Sequence, residues 1–270
     1  MKTIGLTLRA CAAVAILAAA PAPAQEAAQP AARAGGYGKL VALPDWSGVW
    51  QPDWSSLFGA NGRIPQQPQL TPEAQARVDA FNKKQQEEGV DQSAQVNCLP
   101  PGVPGIMRQP YPVEFIYSPG RVTIFAETYS QARRIYTDGR PLPEDPDPFF
   151  NGNSVGHWEG DMLVVETNGL HPLTNMIPGL PHTATSTIIE RIWLESPERL
   201  VIETTIADPA SFTEPFTSRQ AYIRHRDWQI REYVCEENNR LRSEGGGANI
   251  DLGLDDESDP FGPPPSPDGD

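Results

Sequence analysis

Positive charge is in short supply in this chain of 270 residues: 21 Lys and Arg stand against 35 Asp and Glu, a formal net charge of −14. Phosphate-rich partners need a basic face, so no nucleic acid partner and no anionic lipid surface is expected. Cysteine is scarce as well, three in all, with no Cys-x-x-Cys, and a structural zinc site has no ligand set in the sequence. The four histidines, His157, His171, His182 and His225, include no pair at i, i+2 or i, i+4. No metal is therefore expected. A Gly-x-Ser-x-Gly nucleophile motif is absent, and Gly152-Asn153-Ser154-Val155-Gly156 has the glycines of a phosphate loop but no Lys, so no cofactor is expected either. Beyond the first twenty residues no apolar run is long enough to cross a bilayer as a helix, and no membrane insertion is expected. What is present, 39% hydrophobic residues, suffices for a core and excludes wholesale disorder.

The first residues read as an export signal. Lys2 and Arg9 form a positive n-region, Cys11 to Ala20 is apolar, and Ala22-Pro23-Ala24 is a small-x-small cleavage pattern. Residues 1–24 are thus a signal peptide, cut near Ala24, for a periplasmic or secreted protein. Those two residues are its only charges, so cleavage takes the net charge from −14 to −16. Residues 25–44 form a flexible leader, 45–239 a folded domain, and 240–270 an acidic Gly/Pro-rich tail expected to be disordered. The spacing of Asp255-Asp256-Glu257-Ser258-Asp259 does not match a calcium loop. Cleavage leaves two cysteines, Cys98 and Cys235, and an even count in an oxidising compartment predicts a disulfide between them.

Within the domain, Thr71-Pro72-Glu73 signals a helix start, with Ala74, Val78 and Phe81 on one face and Gly89 as the stop. From Val113 onward the period changes to two. Strands are expected at 113–117, 122–127, 131–137, 154–158, 162–167, 185–194, 200–207, 217–224 and 228–235, joined by hairpin turns. With the Trp46 segment this makes about ten short strands and no strand–helix–strand alternation. The expected fold is all-β, an antiparallel up-and-down, lipocalin-like barrel with one N-terminal helix packed outside.

The strands are unusually polar for a barrel that only fills itself. Arg133 and Arg134 are consecutive and point opposite ways, so one of them points inward or sits at a rim, while Glu190 and Arg191 face opposite ways. A buried Arg or Glu must be paired, and one reading is a structural Glu–Arg brace. The sharper reading is a polar cavity in which Glu127, Arg134, Tyr136, His182 and Glu190 converge, with Tyr111 or Trp158 nearby. His182, Glu190 and Glu127 are the candidate acid–base groups, and Arg134, Arg133, Tyr136, Tyr111 and Trp158 the candidate ligand-binding groups.

Trp46-Ser47-Gly48-Val49-Trp50, Pro110 to Phe115, Arg133 to Arg140, Gly156 to Thr167 and Pro181-His182-Thr183 leading to Glu190-Arg191 form a string of motifs. The string resembles a family of exported bacterial β-rich proteins with no assigned activity. It implies an exported β-rich protein and carries over no reaction. Two function classes follow from the residues. One is an exported small-molecule-binding barrel for a partly aromatic, carbonyl- or carboxylate-bearing ligand. The other is a cofactor-free lyase or isomerase, with Glu/His acid–base catalysis and Arg/Tyr oxyanion stabilisation.

Overall fold

The computed structural model describes residues 36–57, 67–88, 94–235, 241–244 and 247–250. The expected signal peptide, residues 25–35 of the leader and the tail beyond residue 250 lie outside these. The chain runs through β1 (Val49–Asp53), α1 (Trp54–Leu57), α2 (Pro72–Glu88), β2 (Val113–Ser118), β3 (Arg121–Ala126), β4 (Gln131–Tyr136), β5 (Asn153–Glu159), β6 (Met162–Asn168), β7 (Asn175–Ile177), β8 (Leu180–Pro181), β9 (Thr187–Ser196), β10 (Arg199–Ala207) and β11 (Phe216–His225). Nine strands close a barrel in the order β1-β11-β10-β9-β6-β5-β4-β3-β2. β7 and β8 form a separate small hairpin, and Leu241–Glu244 pairs with Gly247–Ile250 in another. The all-β barrel read from the strand pattern is the fold.

Two details differ from the expectation. Neighbours around a closed ring can alternate in direction only if their number is even. With nine strands one neighbouring pair must run parallel, and that pair is β4 and β5. They meet only at Ile135↔Ser154 and Tyr136↔Val155, and a parallel pair needs a long crossover, here residues 137–152. The barrel is therefore mostly rather than wholly antiparallel. The second correction is that 228–235 is not a strand. Its expected partner edge on β11 is already taken by β1, which pairs from Val49↔His225 to Asp53↔Ala221 and then reaches β2. The segment instead lies across the barrel end. There Arg231 donates its backbone N–H to Glu127 Oε2 at 2.8 Å, Tyr233 packs edge-on to Tyr111, and Cys235 is bonded to Cys98.

Register fixes which side chains fill the interior. On β3 Val122, Ile124 and Ala126 are buried, on β9 Ile188, Glu190 and Ile192, and on β10 Leu200, Ile202, Thr204 and Ile206. Trp46 and Trp50 are fully buried at one end, where the Trp46 ring meets Phe115, Tyr117 and Trp158 at centroid distances of 5.0, 6.0 and 5.2 Å. The other end is stoppered by residues 101–108. Ile106 and Met107 are buried there, Tyr222 donates its hydroxyl to the Met107 carbonyl, and His182 Nε2 lies 3.0 Å from the Val103 carbonyl. Gly102 has φ +65°, and a Cβ there would stand 2.2 Å from the Phe150 carbonyl oxygen, so only glycine lets this stopper lie against the crossover. Helix α2 packs outside, as expected. Thr71 Oγ1 caps the Ala74 N–H at 3.2 Å, Ala74 is buried, and Val78 and Phe81 are half-buried.

The disulfide joins residues 137 apart in sequence and ties the 226–235 segment to the rest of the domain. Replacing Cys98 with Ser should cost about 2–5 kcal/mol in urea unfolding of the oxidised protein. An unchanged midpoint and slope would show that the bond does not hold the fold.

Candidate functional site

A charged pair inside the barrel and a groove on its outer wall stand apart from the apolar core. Inside, Arg133 of β4 meets Glu190 of β9. Arg133 Nη1 donates to Oε1 at 3.0 Å and Nη2 to Oε2, with the two residues 2% and 0% exposed. Nη2 also lies 3.1 Å from Thr167 Oγ1 and 3.3 Å from Ser154 Oγ, and those hydroxyls are 2.8 Å apart. The pairing is bidentate, the geometry a guanidinium and a carboxylate favour. Charges this deep survive only when so compensated.

Pleat parity then decides the neighbours. Arg133 faces in, so Arg134 and Ala132 face out, together with Tyr136. These outer side chains line a groove of about 950 Å³ along the parallel β4–β5 seam. Its other wall is the crossover, with Arg140, Pro141, Leu142, Pro143, Glu144, Phe149, Phe150 and Asn151. The groove exists because β4 and β5 share only two register pairs, so the strands diverge where the crossover enters. The crossover is held in place. Phe149 N–H donates to the Gly169 carbonyl at 2.9 Å and its own carbonyl accepts from His171 N–H at 2.9 Å. Asn168 Nδ2 reaches the Pro143 carbonyl at 2.9 Å, and Asn151 Nδ2 reaches Gln131 Oε1 at 3.2 Å.

Charge in the groove is unevenly committed. Arg140 is paired with Asp138, Nε to Oδ1 at 2.9 Å, and its guanidinium lies 3.8 Å above the Tyr136 ring. The Asp138 pair holds the guanidinium pKa above its usual value and the carboxyl below. Arg134 is exposed and has no carboxylate partner among the described residues. Phe150 stacks on His171 at 4.5 Å, while Phe149 stays 52% exposed. The groove thus offers one free guanidinium beside an uncovered aromatic ring, the donor set for a ligand with an anionic or carbonyl end and an apolar body.

The residues expected to converge do not. Glu190 and Arg133 are locked together in the interior. Arg134 and Tyr136 lie on the outer wall. Glu127, just past the end of β3, receives the Arg231 N–H at the barrel end where Tyr111 packs on Tyr233. Trp158 lies in the aromatic cluster with Trp46 and Tyr117. His182 follows β8, buried against the stopper, with Nε2 donating to Val103 and Nδ1 without a partner. The reason is period two. Glu190 faces the interior with Arg133, while Arg134 and Tyr136 stand one position out of phase with Arg133 and face the outer wall, so no single cavity holds both sets. The stopper has no signal in the sequence, because its Pro- and Gly-rich stretch carries no strand or helix period.

Burial pushes the His182 pKa down to about 4, against smaller opposing effects of the Val103 carbonyl and Asp208. The folded state holds this imidazole neutral while the unfolded chain takes up a proton near pH 6.5, so stability is full above pH 7 and falls as pH drops through 6.5 towards 4. The loss from this group is about 3 kcal/mol. Between pH 7 and 4, His182→Gln should lose about that much less stability than the wild type in urea unfolding; parallel pH curves would contradict it. For the interior pair, Glu190→Gln leaves a buried guanidinium uncompensated and should cost about 3–5 kcal/mol, while Arg133→Met with Glu190→Met should recover most of that. A double variant no more stable than Glu190→Gln would refute this account.

Among the described residues no group of three His, Cys, Asp or Glu is placed to hold a metal ion, and no helix is long and apolar enough to cross a membrane. In comparisons with known proteins, no family model and no curated protein matches this chain.

Proposed function

We propose that this protein is an exported small-molecule-binding barrel whose ligand lies in the outer groove of the β4–β5 seam. The carrying observation is the free Arg134 guanidinium beside Tyr136 and the uncovered Phe149 in a groove of about 950 Å³. A ligand with a carboxylate or carbonyl end places that end on Arg134, where the planar fork matches two oxygens. Its aromatic body covers Phe149 and the proline-lined crossover. Covering roughly 100 Å² of apolar surface gives about 2.5 kcal/mol. The crossover's hydrogen bonds hold the groove open in advance, which lowers the ordering cost of binding. Export is supported by the signal-like first 24 residues and by the bonded pair of cysteines, which persists in an oxidising compartment such as the periplasm.

Phenylacetate is a suitable probe, in isothermal titration at low salt. Arg134→Gln should weaken it about tenfold, the equivalent of roughly 1.4 kcal/mol. Phe149→Ala should weaken it several-fold, and neither change touches the core. Affinity that persists in Arg134→Gln, or no measurable binding of phenylacetate and related aromatic acids, would defeat the reading.

A further inference from the structure

The interior layer holding Arg133 and Glu190 contains a second guanidinium that the fold leaves uncompensated. Arg108 closes the stopper and reaches into the barrel mouth, where Nη2 donates to Ser218 Oγ at 2.7 Å. Glu190 is the carboxylate that acts on it electrostatically, and both Glu190 oxygens are already taken by Arg133. No carboxylate lies within ion-pair distance of Arg108 among the described residues. This layer therefore carries two guanidinium groups against one carboxylate. Burial works against the Arg108 charge, and Glu190 offsets that only in part. Two residues along β11 from Ser218, on the same inner face, Gln220 is 6% exposed and its Nε2 has no acceptor. Two strand residues span roughly 7 Å, so the Gln220 amide and the Arg108 fork can close on one small group between them.

We propose that Arg108, Ser218 and Gln220 form an anion site at the barrel mouth that takes a carboxylate group. The chemistry follows from the donors. A planar guanidinium presents two parallel N–H groups, the primary amide adds a third, and a carboxylate accepts all of them while neutralising the extra charge. The Ser218 hydroxyl, accepting from Arg108, keeps its own proton free to donate. The site is separate from the outer groove, since β11 and β4 stand on different parts of the wall and Arg108 faces the interior.

The test uses the purified full mature protein with [13C]acetate, followed by NMR line broadening at constant ionic strength. Wild type should show saturable binding. Arg108→Gln should weaken it at least tenfold, and Gln220→Met at least threefold, while Arg134→Gln leaves it unchanged. Without acetate, Arg108→Gln should melt no lower than wild type, because it removes a half-buried charge that has no carboxylate partner among the described residues. Hexanoate separates two sources of the carboxylate. Tighter binding than acetate assigns it to the end of a longer ligand, equal binding to a free small acid, and both support the site. Absence of saturable acetate binding to wild type overturns the proposal. Binding lost in Arg134→Gln but kept in Arg108→Gln also overturns it. Should Arg108→Gln not fold, Ser218→Ala and Gln220→Met decide, and wild-type affinity in both refutes the site.

Discussion

The organisation of this molecule hangs on one buried contact, the bidentate pairing of Arg133 with Glu190 across the barrel interior. A guanidinium and a carboxylate at 2% and 0% exposure cannot be moved apart without stranding a charge, so the pair fixes the relative placement of β4 and β9. It also fixes parity. With Arg133 inside, Arg134 must stand outside, and the side chain that is free to meet a ligand is determined by the one that is not. A slip of β4 by one residue would exchange them and empty the interior pair at once.

A second constraint is arithmetic. A closed sheet of nine strands cannot alternate throughout, so one seam is parallel, and a parallel seam needs a long connection. The crossover 137–152 is that connection. It passes over the outer wall beside the seam, and its aromatic and proline residues make the facing wall of the groove. The groove is thus a consequence of closure. Where β4 and β5 diverge, the sheet leaves a gap that the crossover roofs without filling.

Much of the fold was legible in the sequence, for reasons that are local. Period-two stretches bounded by Ser-Pro-Gly, Asp-Gly and Glu-Gly-Asp turns mark the strands, and Thr71-Pro72 marks the helix, because turns and caps depend on a few neighbouring residues. The disulfide was legible because only two cysteines survive the expected cleavage. The strand expected at 228–235 fails because a local pattern cannot reveal that β1 already occupies the edge. The expected convergence of Glu127, Arg134, Tyr136, His182 and Glu190 fails for a related reason. Which of two consecutive arginines turns inward depends on a partner 57 residues away, and nothing near Arg133 announces Glu190. Arg108 and Gln220 were invisible for the same cause, since one lies in a stopper without periodicity and the other looks like any polar residue of a strand.

Ligand binding at the parallel seam through Arg134, as proposed, comes down to where a ligand perturbs the barrel wall. The most direct measurement is a backbone amide chemical-shift map of the uniformly labelled protein titrated with phenylacetate. Saturable shifts are predicted in residues 132–136 and 149–155, with the β10–β11 hairpin on the far side of the barrel undisturbed. Shifts centred on the barrel interior, or spread evenly over the surface, would contradict it.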